Sequence, residues 1–485
     1  MRHDDVKIEY NLRQCRHMEK KDGGSNGADP AGDGMAWQLS GYISEMMQAA
    51  RVPAMSISVL RGNELVYSRG FGHRDMQALL PADGSTLYGI GSVTKSFASI
   101  AVLQLHERGL VDIHAKIGTY LPEFGGKSPL ADAEVHHLMS HSSGIPTLNV
   151  AEISLARQFG DDTSFIPMAS YEDFVHIVNA SSSERVAAPG RRFLYWNEGY
   201  TILGRLVEKV TGESFESYVR KNLLIPLGMP RSGFGEVCTA GDPDAATFYD
   251  RKRDGRLVAK QLRTQLFDAA AGGIISSMPE LCNYMRMLMG GGAIAGNRVI
   301  SSDLLEESFT GDVDSGQPTQ FGNSRYGYGW IIADNFFGHR IVYHSGDVGI
   351  SSAFVAFVPD LLTGVAVASN TGGGPNSLVG LYALALAAGR RPDELDFVRA
   401  QRLSSRLAGE YSDYMGYTSL TVSEWGAGFM KAEFRSDEVE YSMPFIVEGG
   451  EVYTMAGYNR MKVYCRELSD GRMEIVFDRH RFLKR

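Results

Sequence analysis

Segments with strand character occur near the start of the chain and again after residue 326, with a long helical region between them. Near the start, AMSISVL and LVYSRGFG alternate in polarity on either side of the turn RGNE, which predicts a β-hairpin. From 92 to 300 the chain shows mainly helical periodicity. Short strand segments then follow, ahead of the predicted helix SLVGLYALALAAG: YGYGWIIAD, RIVYHSGD, SSAFVAFVPD and TGVAVASN. This order predicts one α+β unit whose sheet is completed by distant parts of the chain.

The C-terminal region has a different pattern, which begins after GRRPDELD at 389–396. Strand segments recur there at short, regular spacing with turn residues between them: TSLTVSEW, GFMKAEF, EVYTMAG, RMKVYCREL and RMEIVFDRH. We predict a small all-β barrel or sandwich over 402–485, joined by a linker over 391–401. At the other end, DGGSNGADPAGDG has the composition of a flexible linker. We therefore predict a flexible tail over 1–36 and a main domain over 37–390.

Charge and composition restrict the partners and the compartment. The 485-residue chain has a net charge of −9 and no basic cluster with interleaved aromatics, so neither nucleic acid nor a membrane surface is an expected partner. The cysteines form no C-x-x-C pair, which predicts neither a zinc ribbon nor a disulfide framework. The first residues lack the apolar core of a signal peptide, and the longest apolar stretches are too short to cross a bilayer. These features predict a cytoplasmic protein.

The stretch GIGSVTKSFA contains Ser92 and Lys95, three residues apart at the start of a predicted helix. Residues at this spacing lie on one face of a helix, so the amine can reach the hydroxyl. A desolvated lysine can lose its proton and act as a base, and a helix N-terminus offers N–H groups to an oxyanion. A serine at a helix start can equally be a simple cap, and the tetrad alone does not decide between the two interpretations.

Three further segments carry residues of chemical interest. In LYWNEGYTILGRLVEKVTG, Tyr195 and Asn197 stand just ahead of a helix, where a structural tyrosine and a helix cap are the simpler interpretations. In YHSGD, His344 begins an H-S-G triplet on or beside a strand. In HHLMSHSSGIP, His137 and His141 have a metal-ligand spacing for a helix, but no Glu follows His137 as H-E-x-x-H requires. We therefore predict no metal and no cofactor.

Together, S-V-T-K, Y-W-N and H-S-G resemble the three active-site elements of the serine β-lactamase and penicillin-recognising family. The resemblance is greatest to its class C β-lactamase and D-alanyl-D-alanine peptidase branch. The stretches HLMSHSSGIP, GGIISSMPEL and YGYGW also resemble that family, and all these elements follow the family order over about 37–390. The resemblance implies an antiparallel sheet flanked by helices plus a helical subdomain. The C-terminal module resembles the lipocalin-like domain appended to some peptidases of the family.

The resemblance also implies roles for the first two elements. Ser92 would be the nucleophile, Lys95 its activating partner and Tyr195 the second member of an acid/base pair. A neighbouring ammonium is expected to lower the pKa of the phenol from its ordinary value of about 10. Because such a pair titrates as a unit, the base is not assigned to one member. Asn197 would bind the amide on the acyl side of the substrate.

The third element would complete the site and limit the substrate. The resemblance implies that His344 and Gly346 bind substrate, and that the N–H groups of Ser92 and Asp347 form the oxyanion hole. β-Lactamases of the family usually carry a lysine where His344 stands, to hold the substrate carboxylate. A histidine gives a weaker, pH-dependent contact and resembles the form found in D-alanyl-D-alanine carboxypeptidases and D-amino-acid peptidases.

The expected function is therefore a serine acyl-hydrolase that works through an acyl-enzyme on Ser92. A D-amino-acid-specific peptidase of carboxypeptidase or aminopeptidase type is preferred. A class C-like β-lactamase and a short-chain carboxylesterase are the alternatives, since they share the same machinery, and a non-catalytic scaffold is a distant third. The expected partners are a small peptide, β-lactam or ester substrate, and a homo-oligomer is left open.

Overall fold

The structure is a computed structural model that describes residues 30–160, 166–262, 269–311, 313–426 and 428–485. Most of the predicted tail lies outside these residues, and the described chain is helical from Pro30 onward. The helices are, in chain order, α1 (Pro30–Ala50), α2 (Thr94–Glu107), α3 (Val135–Met139), α4 (Val150–Phe159), α5 (Tyr171–Ala180), α6 (Asn197–Thr211), α7 (Phe215–Val219), α8 (Gly235–Thr239), α9 (Ala269–Gly272), α10 (Met278–Met289), α11 (Ser302–Ser308), α12 (Asn376–Ala387) and α13 (Asp396–Leu407).

The strands fall into a large sheet, a barrel and small accessory sheets. In chain order they are β1 (Ala54–Arg61), β2 (Glu64–Asp75), β3 (Leu80–Pro81), β4 (Tyr88–Gly89), β5 (Gly233–Phe234), β6 (Phe248–Arg251), β7 (Leu257–Lys260), β8 (Ile274–Ser276), β9 (Ala293–Ile294), β10 (Asn297–Arg298), β11 (Val313–Thr319), β12 (Gly322–Tyr326), β13 (Ile331–Phe336), β14 (His339–Asp347), β15 (Ser352–Val358), β16 (Thr363–Ser369), β17 (Gly409–Ser412), β18 (Ser419–Gly426), β19 (Phe429–Arg435), β20 (Glu440–Glu448), β21 (Glu451–Ala456), β22 (Asn459–Glu467), β23 (Met473–Phe477) and β24 (His480–Lys484).

The large sheet joins the two ends of the main domain. Its strand order is β11-β12-β13-β14-β15-β16-β1-β2-β3, and neighbouring strands are antiparallel. The N-terminal hairpin β1–β2 is completed by β16, with Met55 opposite Ser369 and Leu60 opposite Gly364. The predicted α+β unit, with a sheet closed by distant parts of the chain, is confirmed.

Helices cover both faces of this sheet, and its central strands are therefore buried throughout. On β15, Val355 and Phe357 belong to the core formed with α2 and α10, whereas Phe354 and Ala356 belong to the core formed with α1 and α12. Successive side chains of a strand point to opposite faces, so a strand with a core on each side needs apolar residues at consecutive positions. The apolar run in SSAFVAFVPD follows from this double burial.

Helix α2 passes through the larger core. Every residue from Thr94 to Leu105 is buried, which agrees with a sequence that is apolar on more than one face. It contacts α6, α7 and α9 of the helical region, while the 3-10 turn Gly91–Val93 at its start meets β14 of the sheet. The start of α2 therefore lies at the junction of the sheet and the helical region.

The C-terminal strands form a closed barrel of consecutive antiparallel strands from β17 to β24, which confirms the predicted all-β module. Pairing of Tyr411 with Lys484 closes it, and closure leaves no unpaired strand edge. Its apolar core is separate from those of the main domain. The predicted linker over 391–401 includes the start of α13 at Asp396, and Leu407 at the end of this helix packs into the barrel core.

Within the described ranges, no helix is both long enough and apolar enough to cross a membrane. In the same ranges Cys238, Cys282 and Cys465 carry unlinked thiols, as expected from their scattered positions.

Candidate active site

Two glycines allow the start of α2 to approach strand β14 closely. Gly91 has a φ of +52°, and a Cβ there would lie 2.6 Å from the backbone nitrogen of Asp347. A Cβ on Gly346 would lie 2.0 Å from the carbonyl oxygen of Ile90 and 2.7 Å from the backbone nitrogen of Ser92. A side chain at either position would separate the two segments. The glycines of GIGSVTK and H-S-G are therefore the residues that bring these two motifs together.

Ser92 and Lys95 are in direct contact at this junction. Lys95 is fully buried, and its Nζ lies 2.9 Å from Ser92 Oγ and 2.8 Å from the carbonyl oxygen of Ala271. Ser92 belongs to the 3-10 turn ahead of α2, whose N-cap position is occupied by Val93 without a side-chain capping bond. The interpretation of Ser92 as a simple helix cap is therefore wrong. Its hydroxyl faces the amine instead.

Tyr195 lies beside the same pair of residues. Its ring centroid is 4.9 Å from Lys95 Nζ, and its phenol and the side chain of Ser92 are hydrogen-bond partners. The residue as a whole is 36% exposed, but burial of its hydroxyl group raises the pKa of Tyr195, and the bond with Ser92 offsets this only in part. The expected lowering of this pKa is therefore wrong, since desolvation raises it. Tyr195 is a neutral phenol at rest.

Asn197 is the first residue of α6, and Trp196 occupies the N-cap position. The side chain of Asn197 does not cap the helix, because its Nδ2 donates to Glu152 Oε1 at 3.0 Å. Glu152 is an exposed residue in the first turn of α4. This contact joins the proposed substrate-binding amide to a carboxylate that has no counterpart among the predicted site residues.

His344 lies on β14 with only 2% of its surface exposed. Its Nδ1 donates to the carbonyl oxygen of Ser345 at 2.5 Å, and its Nε2 therefore accepts from the Tyr326 hydroxyl at 2.9 Å. Burial, followed by the positive charge of Lys95, lowers the pKa of His344 to about 3. The imidazole is thus neutral, and both of its nitrogens are already bonded within the protein. With these two bonds in place, the His344 imidazole has no N–H that could donate to a substrate carboxylate.

A cleft opens at Ser92, between α4 and the end of β14. Asp347, the residue after H-S-G, stands at its edge, where its carboxylate accepts from the backbone nitrogens of Gly349 and Gly373 at 2.6 Å each. The backbone nitrogens of Ser92 and Asp347 both lie at the close contact between Gly91 and Gly346. The cleft is lined by Ser92, Ala151, Leu155, Gln158, Asn197, Leu262, Ala271, Gly272, Gly273, Asp347 and Val348.

His137 and His141 of HHLMSHSSGIP do not converge as metal ligands, whereas His136 stands with His114 and Glu134 in a group whose possible ligand atoms lie within 4.8 Å of one another. His137 lies on α3, where its Nδ1 accepts from the backbone nitrogen of Glu134 at 3.0 Å. His141 lies beyond the end of α3 in a left-handed conformation, and its Nδ1 accepts from the backbone nitrogen of Trp196 at 3.0 Å. Its ring centroid is 4.1 Å from that of Tyr195. His141 therefore belongs to the surroundings of Tyr195.

The predicted residues Ser92, Lys95, Tyr195, Asn197, His344, Gly346 and Asp347 are brought into one region by α2, α6 and β14. Their supporting contacts were not predicted. Tyr326 and His141 stand in YGYGW and HLMSHSSGIP, so the accessory stretches carried a signal for them. Glu152 stands in no quoted motif, and nothing in its local sequence indicated that it would meet Asn197.

A serine and a lysine at the start of a buried helix, beside an antiparallel sheet, are the arrangement of serine β-lactamases and penicillin-binding proteins. Residues 39–389 match the Beta-lactamase family, and residues 392–483 match the Pab87 octamerisation domain. The chain therefore belongs to the Beta-lactamase family, whose members are serine hydrolases. The resemblance seen in the sequence is confirmed.

Individual similar proteins agree with this placement. The octameric penicillin-binding protein homologue from Pyrococcus abyssi is 33% identical, with a TM-score of 0.82 over 93% of this chain and 100% of its own. A D-stereospecific amidohydrolase from Streptomyces sp. is 22% identical, with a TM-score of 0.59 over 71% and 98%, which is a likeness of fold. Protein flp of Staphylococcus aureus is 23% identical over 69% of this chain and 62% of its own length. The chain thus spans less than two thirds of that curated relative.

Proposed function

We propose that this protein is a serine acyl-hydrolase that forms an acyl-enzyme on Ser92. The observation that carries the proposal is the 2.9 Å contact between Lys95 Nζ and Ser92 Oγ, made by a fully buried lysine at the edge of a cleft. A buried lysine gives up its proton more readily than an exposed one, so the Lys95–Tyr195 pair is suited to taking a proton from the hydroxyl. Tyr195 is a hydrogen-bond partner of Ser92. Lys95 and Tyr195 together therefore form the pair that accepts the serine proton.

The reaction follows from these contacts in two steps. Ser92 Oγ attacks the substrate carbonyl carbon while its proton passes to the Lys95–Tyr195 pair, and the backbone N–H groups of Ser92 and Asp347 stabilise the oxyanion. Collapse breaks the bond to the leaving amine or alkoxide, which receives the proton from the same pair. A water molecule then attacks the ester on Ser92 by the reverse proton route. Asn197 orients the acyl group.

Within this chemistry we propose a D-amino-acid peptidase in preference to a β-lactamase. β-Lactams carry a carboxylate, and the buried, neutral His344 has both nitrogens bonded to Tyr326 and Ser345. Those bonds and the lowered pKa of His344 argue against a strong carboxylate contact of the kind a lysine would make. A short-chain carboxylesterase remains the second candidate, because an ester needs only the acyl-enzyme machinery.

Covalent labelling tests the proposal. A fluorophosphonate should add one label to the intact protein, and peptide mapping should place it on Ser92. Ser92→Ala should take no label and should lose about 10⁴-fold or more in kcat on p-nitrophenyl butyrate. Ser182→Ala, at an exposed serine, is the matched control and should label like the parent protein. Absence of Ser92 labelling together with hydrolysis that is unchanged in Ser92→Ala would overturn the proposal, and absence of both labelling and hydrolysis in the parent protein would support the scaffold alternative.

A substrate panel then ranks the activities. Nitrocefin, p-nitrophenyl butyrate and D-alanyl-p-nitroanilide report β-lactamase, esterase and D-amino-acid amidase turnover in turn. We expect the highest kcat/KM on D-alanyl-p-nitroanilide. Fast turnover of nitrocefin would overturn the preference for a peptidase while leaving the acyl-enzyme proposal intact.

We also propose that the C-terminal barrel assembles the chain into a homo-oligomer. The support is the match of residues 392–483 to an octamerisation domain and the 33% identity to an octameric homologue. The division into a catalytic domain over 37–390 and a barrel domain over 402–485, like a cytoplasmic location, stays a prediction.

A further inference from the structure

The acyl-side end of the cleft carries a carboxylate that the proposed reaction does not use. Glu152 follows the cleft residue Ala151 on α4, is exposed, and accepts from Asn197 Nδ2 at 3.0 Å through Oε1. Its negative charge also raises the pKa of Tyr195 and of Glu198, which indicates that it acts on the interior of the site. Glu152 and Asn197 thus form a pair beside the proposed nucleophile.

The hydrogen-bonding groups of this pair are mainly acceptors. The amide nitrogen of an asparagine carries two N–H donors, and Asn197 Nδ2 directs one of them at Glu152. Asn197 keeps the acceptor Oδ1 and one N–H for a substrate, and an ionised Glu152 offers acceptors alone. An ammonium supplies several donors and no acceptor, so it can bond to Asn197 Oδ1 and to the Glu152 carboxylate at once. An acylated nitrogen supplies one donor and brings a carbonyl oxygen toward the carboxylate.

The charges around the cleft favour a cation as well. Among the described residues that line it, none is a lysine, an arginine or a histidine, and the acidic side chain is Asp347. Lys95 is buried behind Ser92, with its Nζ on Ser92 Oγ and the Ala271 carbonyl oxygen. His344 is neutral, with both nitrogens bonded. A substrate whose recognition depends on a terminal carboxylate finds no cationic partner here, whereas a terminal ammonium finds Glu152.

We infer that Glu152 and Asn197 bind the positively charged amino group of the residue that is transferred to Ser92. The substrate class is then a peptide or amide with an unblocked N-terminal residue, cut after that residue. This inference rests on the proposed acyl-enzyme function. Ser92 Oγ forms an ester with the first residue, the amide C–N bond breaks, and the leaving amine takes the proton that Ser92 released. Water then releases the amino acid and restores the hydroxyl.

A matched pair of substrates tests this assignment. D-Alanyl-p-nitroanilide and its N-acetyl derivative differ at the amino nitrogen alone, where acetylation removes the charge and adds a carbonyl acceptor and the bulk of the acetyl group. The parent protein should prefer the unblocked substrate by about tenfold or more in kcat/KM. Glu152→Gln should reduce that preference by about tenfold, mainly through KM, because the side chain keeps its size and loses its charge. Glu64→Gln removes an exposed carboxylate at the start of β2 and should keep the parent preference.

The pH dependence gives a second readout that a merely structural role for Glu152 would not move. The preference for the unblocked substrate should decline as the pH rises through about 8, where an α-amino group loses its proton. Equal or better turnover of the N-acetyl substrate, or a proportional loss on both substrates in Glu152→Gln, would overturn the inference while leaving the acyl-enzyme intact. Absence of Ser92-dependent turnover of these substrates and of p-nitrophenyl butyrate would instead overturn the proposed function, and the inference with it.

Discussion

At the scale of single residues, the backbone on either side of Tyr195 is held by two hydrogen bonds that end on His141. The backbone nitrogen of Leu194 donates to the His141 carbonyl oxygen at 2.8 Å, and that of Trp196 donates to His141 Nδ1 at 3.0 Å. The ring of His141 also lies against that of Tyr195, with centroids 4.1 Å apart. Burial, followed by the charge of Lys95, lowers the pKa of His141 well below its ordinary value, so the imidazole stays neutral and keeps Nδ1 as an acceptor. His141 is therefore a positioning residue for the phenol.

Replacement of His141 by Ala should lower kcat on p-nitrophenyl butyrate by about 10²-fold with little change in KM, because the phenol loses its fixed position relative to Ser92. His141→Asn should recover most of the loss. Asparagine tolerates the left-handed backbone, and its side-chain oxygen can accept from Trp196. The measurement is kcat on p-nitrophenyl butyrate, divided by the concentration of active sites that a fluorophosphonate titrates. A purely structural role would lower the Tm of the Ala variant while kcat per titrated site stayed within about twofold of the parent.

At the scale of elements, the start of α4 is attached to α6 through a buried carboxyl group. Glu198 Oε1 accepts from the backbone nitrogens of Val150 and Leu148 at 2.8 and 3.2 Å, and Glu198 is only 1% exposed. Burial raises the pKa of Glu198 from 4.5 to about 7, although the bonds from these backbone groups oppose the shift. The element that carries Glu152 is therefore anchored by a group that titrates near neutral pH.

This raised pKa makes stability depend on pH. Glu198 ionises near 4.5 in the unfolded chain, so its contribution to stability is full below that pH and is lost as the pH rises through about 7. Glu198→Gln cannot ionise and avoids this loss. We expect the free energy of unfolding of Glu198→Gln, relative to the parent, to rise by up to about 3 kcal/mol between about pH 4.5 and about pH 8.

Urea denaturation at the two pH values measures this difference. Glu172→Gln, at an exposed carboxylate on α5, is the matched control and should track the parent protein at both pH values. A Glu198→Gln variant whose relative stability does not change with pH would show that this carboxyl group keeps its ordinary pKa in the folded protein.

The same elements show what sequence could predict. Short motifs identified Ser92, Lys95 and His344, because the spacing S-x-x-K and the triplet H-S-G are local features. Periodicity predicted the hairpin, the strands that are buried on both faces, and the barrel. The spacing of apolar residues indicates which faces of a segment are buried. The charged composition around 391–401 gave no sign that α13 would pack on the barrel.

Contacts between distant segments were beyond such reasoning. The bond between Glu152 and Asn197 joins residues on different helices, and the bond between His344 and Tyr326 joins different strands. Neither of these two pairings can be predicted from a single sequence, because side-chain partners are set by tertiary packing and not by local propensity. For the same reason the pKa of Tyr195 was predicted with the wrong sign: its burial was not visible, whereas its charged neighbour was.

At the scale of the whole molecule, the barrel carries an exposed apolar loop. Tyr414, Met415 and Tyr417 lie between β17 and β18 with 95%, 80% and 54% of their surfaces exposed. The loop is closed at its base, where Asp413 Oδ2 accepts from the Thr418 hydroxyl at 2.7 Å. Contiguous exposed apolar side chains on an ordered loop are typical of a surface that binds another protein. Together with the match to an octamerisation domain, this favours the loop as a contact between copies of the chain.

The molar mass in solution tests this contact. Light scattering after size-exclusion chromatography should give a multiple of the 53.1 kDa chain mass for the parent protein. Simultaneous replacement of Tyr414, Met415 and Tyr417 by Ser should lower that mass, since the loop would lose the apolar surface that association buries. Trp37→Ser, at an 83% exposed tryptophan on α1, removes a comparable side chain outside the barrel and should leave the mass unchanged. A triple variant that keeps the parent mass would exclude the β17–β18 loop from the assembly contact, because the closed barrel and the Asp413–Thr418 bond hold its framework without those side chains.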